Sequence, residues 1–149
     1  MKIFLVRHGY NDFDAGAASL GKNQIEQAAI FLKAALCPDE KTILLTSELT
    51  RAIKSADIIS SILNLPTAQE MRWLTCDTKE DTFLRLQDFA AQNPEWQSII
   101  AISHMPEIDE TVWKFAEEFG QRFRIKLENA SIHLVDLTQR TVQKIFTPS

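Results

Sequence analysis

The sequence lacks any excess of positive charge: 16 Lys and Arg stand against 20 Asp and Glu, a net charge of -4. It therefore carries no basic footprint for nucleic acid, and any anion site in it must be a local positive pocket. It has only two cysteines, Cys37 and Cys76, with no metal-type spacing, which fits reduced thiols in a cytosolic protein. No window approaches the ~20 apolar residues of a membrane span. Between Met1-Lys2 and Arg7 lie only four apolar residues, too few for the core of a signal peptide, so the expectation is a soluble, cytoplasmic protein. Repeats, linkers and low-complexity segments are missing too, and no Asp or His ligands cluster in the sequence, so neither metal nor cofactor is expected. The 149 residues suit one domain, residues 1–149, by the usual prior of ~100–200 residues each.

What is present is a recurring plan. The apolar run Ile3-Phe4-Leu5-Val6 ends in Arg7-His8-Gly9. Ile43-Leu44-Leu45-Thr46 runs into Ser47 and then Arg51, and Ile99-Ile100-Ala101-Ile102 runs into Ser103-His104. Continuously apolar runs of this length read as strands buried on both faces. Two arginines and two histidines thus fall just past three strand ends, the edge of an open α/β sheet where ligands bind. Forked guanidinium groups converging there point to an anion, with phosphate the obvious one.

Helical spacing of Ile25, Ala28, Ala29, Leu32 and Leu36 predicts a helix within residues 20–36, ended by Pro38, after a loop over residues 10–19. Thr42–Thr46 reads as the second strand, with Ser47 as the N-cap of the next helix and Glu48 at its positive end. That helix shows an apolar stripe of Leu49, Ala52, Ala56, Ile59 and Leu63, with Arg51 off the stripe. Residues 67–71 read as a short third strand and residues 72–81 as irregular. Phe83, Leu86, Phe89 and Ala90 mark a helix stopped at Asn93-Pro94. Residues 98–102 form the fourth strand, and Pro106 suits the first turn of a helix that buries Ile108, Val112, Phe115, Ala116 and Phe119 before a C-cap at Gly120. Residues 131–137 and Thr141–Phe146 read as two strands joined by a turn. The alternation predicts an α/β fold: a three-layer sandwich with a mainly parallel central sheet flanked by helices.

The three motifs resemble those of the histidine phosphatases, the phosphoglycerate mutase-like superfamily. Arg7-His8-Gly9 is similar to the first signature, Ser47-Glu48-Leu49-Thr50-Arg51-Ala52 to the second, S-x-L-x-R-A, and Ser103-His104-Met105-Pro106 to the third. Order and spacing match over nearly the whole chain, and the short length is most similar to the small bacterial phosphohistidine phosphatases. Leu20, Gln27 and Ala28 resemble the family's L-T-x-x-G-x-x-Q-A stretch, but Gly21 and Gln24 stand where threonine and glycine are usual. The resemblance implies a phosphoglycerate mutase-like fold and the same four residues at work in phosphoryl transfer.

Chemistry and resemblance agree on the candidates. His8 can accept the phosphoryl group as a covalent phosphohistidine, dividing one hard step into two. Gly9 lets backbone approach the ligand. Arg7 and Arg51 offer permanent charge to the phosphoryl oxygens, and His104 a further hydrogen bond, so substrate binding falls to Arg7, Gly9, Arg51 and His104. Ester hydrolysis also needs an acid for the leaving oxygen. The family often takes one from the segment between the second and third motifs or from just after the second histidine. Glu70, Asp77 and Glu107 are the candidates, each with a solvated surface carboxylate as its bland alternative. His133 reads as a solvent-facing or packed strand histidine outside the chemistry, and Trp73, Trp96 and Trp113 as core or lid contacts. Ser47 and Ser103 could lend hydroxyl donors, and Tyr10 could line or cover the pocket mouth.

The preferred expectation is a metal-independent phosphatase acting through phospho-His8 on a phosphohistidine-carrying protein, whose labile P–N bond asks less of an acid. The alternatives are a phosphatase of a small phosphoester, such as a sugar or nucleotide phosphate, and a non-catalytic phosphate-binding module of the same fold. A mutase is disfavoured by the short chain. A flavodoxin-like or response-regulator domain would need acidic clusters at the strand ends. No nucleic acid or membrane partner is expected, and the oligomeric state is not legible.

Overall fold

Two apolar strands lie side by side at the centre, β1 (Lys2–Arg7) and β4 (Ser98–Ser103), paired in parallel with Lys2 opposite Ser98 and Arg7 opposite Ser103. This computed structural model describes residues 1–75, 79–122 and 127–149. The remaining strands are β2 (Thr42–Thr46), β3 (Gln69–Glu70), β5 (Ile132–Asp136) and β6 (Thr141–Phe146), and the sheet order is β3-β2-β4-β1-β5-β6. The pairs β3-β2, β2-β4 and β4-β1 are parallel; β1-β5 and β5-β6 are antiparallel. Among the described residues the α-helices are α1 (Leu20–Ala35), α2 (Thr50–Leu63), α3 (Thr82–Gln92) and α4 (Glu107–Glu118).

The strand alternation explains why β1 and β4 have no polar face. Ile3 and Leu5 of β1 and Ile99 and Ala101 of β4 pack into one core with Leu86 and Ala90 of α3 and Ile108, Val112, Phe115 and Ala116 of α4. Phe4, Val6, Ile100 and Ile102 enter the other, with Ile25, Ala28, Ala29 and Leu32 of α1 and Ala52, Ala56 and Ile59 of α2. Helices on both faces of a mainly parallel sheet make the expected three layers.

Several local expectations are refined. Ser47 is not an N-cap: α2 starts at Thr50, and Ser47 is fully buried with its hydroxyl turned to His104. The chain needs three residues to turn out of β2, so the serine that reads as a cap in sequence sits two residues before the N-cap position, which Leu49 occupies. Asn64 closes α2 in the left-handed region at φ 55°, a favoured C-terminal conformation. β3 is only two residues long, both exposed at the sheet edge. Part of the loop before α1, Phe13–Ala18, winds into 3₁₀ turns. Trp73 and Trp96 pack against the core, whereas Trp113 is 52% exposed on the outer side of α4. Cys76 and the acid candidate Asp77 lie outside the described residues.

Candidate active site

Parallel register brings the three motifs together. Arg7 ends β1 opposite Ser103, and Thr46 ends β2 opposite Ile102, so the residues that follow leave the sheet at one edge. There His8 N–H donates to the Ser103 carbonyl at 3.2 Å and Ser47 N–H to the Ile102 carbonyl at 3.1 Å. His8 and His104 follow adjacent strands and stand with ring centroids 5.1 Å apart. Arg51, in the first turn of α2, reaches across to His8, its Nε donating to His8 Nε2 at 3.2 Å. Arg7 donates through a terminal nitrogen to the carbonyl of Leu127.

The partners of His8 decide its tautomer. Its Nδ1 lies 2.7 Å from the Gly9 carbonyl, which can only accept, so the proton sits on Nδ1. Its Nε2 faces a guanidinium, which can only donate, so Nε2 keeps a lone pair. Burial pushes the His8 pKa down to about 4, with the Gly9 hydrogen bond opposing and the charges of Arg51 and Arg7 adding to it. His104 is 1% exposed and is pushed down to about 3, by burial first and then by His8, Arg51 and Arg7. Both rings are therefore neutral near pH 7. Burial also lowers the Arg7 pKa, with Glu128 opposing. Two guanidinium cations and two neutral imidazoles thus stand together at one sheet edge, a set of groups chemically able to receive an anion.

His104 Nε2 is bound to Ser47 Oγ, and Ser47 Oγ also accepts from Leu49 N–H at 3.3 Å. Ser103, by contrast, spends its hydroxyl on the Leu74 carbonyl at 2.8 Å. Tyr10 is half exposed at the rim. Its backbone abuts α1 so closely that a Cβ at Gly21 would lie 1.9 Å from the Tyr10 carbonyl oxygen. Gly21, which departs from the usual threonine, is thus required here by a close approach. Gly9 meets the same turn: a Cβ there would lie 2.6 Å from the Gly21 carbonyl oxygen.

Among the acid candidates, Glu70 is exposed on the edge strand, three places from β1. Glu107 opens α4 three residues after His104 and is partly buried. It lines a polar cavity of about 230 Å³ with Asp81, Thr82, Glu110, Thr111 and Lys114 among others. His133 is fully buried in β5 opposite Leu5, which makes it the packed alternative of the two expected. Three residues outside the motifs also bond the loop around His8 and escape sequence reading: Gln24, Ser55 and Asn129. Only Ser55 leaves a signal, as a serine set within the apolar stripe of α2 between Ala52 and Ala56.

No family model and no curated protein matches the chain. Solved structures do match. The protein histidine phosphatase SixA complexed with tungstate is 24% identical, with 100% of this chain and 97% of that one covered and a TM-score of 0.74. A mycobacterial glucosyl-3-phosphoglycerate phosphatase in complex with VO3 is 15% identical over 99% of both chains, with a TM-score of 0.69. A phosphoglycerate mutase from Plasmodium falciparum is 18% identical, covering 98% of this chain and 89% of that one, with a TM-score of 0.64. The chain thus has the phosphoglycerate mutase-like fold, with its Arg-His-Gly, Arg and His motifs gathered at the carboxyl edge of the sheet.

Proposed function

We propose that this chain is a metal-independent phosphatase that hydrolyses a phosphoryl group through a covalent phosphohistidine on His8, with phosphohistidine on a protein as its preferred substrate. One observation carries the reading: a neutral His8 whose Nδ1 proton is held by the Gly9 carbonyl and whose Nε2 lone pair faces Arg51. In the first step Nε2 forms a bond to phosphorus while the bond from phosphorus to the substrate's nitrogen breaks. The positive charge that develops on the His8 ring is met by the Gly9 carbonyl already bonded to Nδ1–H. Arg51 and Arg7 neutralise the phosphoryl oxygens, which is where such donors act most strongly. His104 Nε2 is hydrogen-bonded to Ser47 Oγ, which holds this second neutral ring beside that of His8, where it can flank a phosphoryl group. In the second step water attacks phosphorus and the Nε2–P bond breaks with its electron pair returning to Nε2, so that neutral His8 is regenerated and inorganic phosphate leaves with the oxygen and both protons of the water. A protonated imidazole leaves without a strong acid, which suits a site where no carboxylate is hydrogen-bonded to His8 or Arg51 among the described residues. The tungstate and VO3 in the two phosphatase structures are oxyanions of phosphate-like shape, which supports an oxyanion at this site.

Glu107 favours a second reading, a small phosphoester substrate with this carboxyl as acid, because it is partly buried and opens α4 three residues beyond His104. Trapping separates the readings. Wild type and His8→Ala are incubated with labelled phosphoramidate, a phosphohistidine carrier domain and a sugar phosphate, then quenched. Acid-labile label on wild type alone supports the mechanism, and the best donor identifies the substrate class. A Glu107→Gln variant that loses only ester turnover favours the second reading. No label from any donor, in a chain that still binds vanadate, would leave a phosphate-binding module.

A further inference from the structure

His8 is followed by two peptide planes that meet at Gly9, and each is gripped at both ends. The His8–Gly9 peptide donates its N–H to Ser55 Oγ at 3.0 Å, while its carbonyl accepts from Asn129 Nδ2 at 3.2 Å and Ala130 N–H at 3.1 Å. Ser55 Oγ in turn donates to the Arg51 carbonyl at 2.8 Å, so one hydroxyl ties this loop to the turn that carries Arg51. The Gly9–Tyr10 peptide donates its N–H to Gln24 Oε1 at 3.0 Å, while its carbonyl accepts from His8 Nδ1 at 2.7 Å. A trans peptide is planar, with N–H and C=O directed oppositely, so a grip on one end fixes where the other points. Gly9 itself offers little resistance to a flip of either plane.

We propose that Gln24 and Ser55 are positioning residues, which clamp the two planes at Gly9 so that its carbonyl stays on His8 Nδ1–H and leaves Nε2 as a bare lone pair toward the phosphoryl group. Released, the Gly9 carbonyl can turn away, and the imidazole then loses the acceptor that holds its Nδ1 proton, leaving only the Arg51 donor, which an incoming phosphoryl group displaces, to mark Nε2. A closed circuit of hydrogen bonds, from Arg51 Nε through His8, Gly9 and Ser55 back to the Arg51 carbonyl, links the nucleophile's tautomer to the placement of the main anion ligand. Gln24 stands where the family pattern has glycine, which has no side chain for this bond. The inference rests on His8 being the nucleophile, as proposed above.

The test combines a tautomer measurement with kinetics on the full chain. Long-range proton–nitrogen correlation spectra of the His8 ring are recorded for wild type, Gln24→Ala, Ser55→Ala and Ser55→Thr. Phosphoenzyme formation from phosphoramidate is followed in single turnover, and inorganic phosphate is titrated as a competitive inhibitor. Wild type and Ser55→Thr should show one protonated and one bare nitrogen. Gln24→Ala and Ser55→Ala should show the two nitrogen signals averaging, with phosphorylation slowed about 10- to 100-fold. Phosphate inhibition should change less than about 3-fold, because the arginines remain. Retention of the single tautomer in both alanine variants would overturn the proposal, as would rate losses matched by equal losses of phosphate affinity. Gln24 is partly exposed, so its variant decides the matter if Ser55→Ala does not fold. A wild type that forms no phosphoenzyme would sink the catalytic reading alone, because the tautomer spectra still report on the clamp.

Discussion

Arg51 Nε donates to His8 Nε2 across 3.2 Å, so the guanidinium occupies the lone pair that an incoming phosphoryl group would take. Binding of a phosphoryl group therefore requires a hand-over, in which Arg51 exchanges the imidazole for an anionic oxygen. The exchange favours the anion, because the guanidinium then faces an opposite charge and can bond it through its fork, where the neutral imidazole offers a single lone pair. Arg51→Ala should lower phosphoenzyme formation about 100- to 1,000-fold and weaken vanadate inhibition as well. Arg51→Lys should recover little of either, since a point charge lacks the forked donor. Unchanged vanadate inhibition in Arg51→Ala would remove this arginine from the site.

The pH response follows from the three depressed histidines. His8 and His133 are pushed down to about 4 and His104 to about 3, in each case chiefly by burial. In the unfolded chain each takes up a proton near pH 6.5, whereas the folded chain does so only at the lower values. The unfolded state thus binds more protons across that window, and stability falls as pH drops from about 6.5 to about 4. Urea midpoints should decline over this range while staying flat from about pH 7 to 8. Phosphoenzyme formation, which needs neutral His8, should persist below pH 6 instead of falling away there. A rate that halves near pH 6.5 would mean that His8 titrates as an ordinary histidine.

Close packing between the His8 loop and α1 makes its glycines sensitive. Gly9→Ala would place a carbon 2.6 Å from the Gly21 carbonyl oxygen, and Gly21→Ala one 1.9 Å from that of Tyr10. Backbone on both sides must shift, so each should cost about 1–3 kcal/mol of stability. Activity should fall further than the fraction unfolded explains, since the displaced loop carries His8. Gly16 is the control: it has open space for a Cβ but a φ of 61°, so Gly16→Ala should cost only backbone strain and leave turnover intact in the folded fraction.

The proposed chemistry draws its positive charge from Arg7 and Arg51. Dialysis against a chelator should leave turnover unchanged, and activity restored only by an added divalent cation would contradict the mechanism.

The sequence by itself determined the outline. Apolar runs at residues 3–6, 43–46 and 99–102 specify strands buried on both faces, and helical stripes between them specify the layers, because burial imposes periods of 2.0 and 3.6 on any chain. The sheet-edge positions of Arg7, His8 and His104 were legible for the same reason, since a polar residue at or just past the end of a buried strand must emerge at the sheet edge, and Arg51 was legible from its place in the first turns of the helix that follows β2. Only the tertiary structure decided the rest. Strand order set His8 beside His104, because β1 and β4 are neighbours despite some 95 residues of separation. Ser47 reads as a helix cap until the turn after β2 is seen to aim it at His104. Gln24 carries no local pattern that announces contact with the His8 loop, Ser55 only the hint of a serine set in an apolar stripe, and Asn129 none. Their hydrogen bonds span 14, 46 and 121 residues along the chain, and such bonds are fixed only when the elements pack. The tautomer of His8 belongs to the same class: it depends on where one backbone carbonyl points, and side-chain identity alone does not encode that direction.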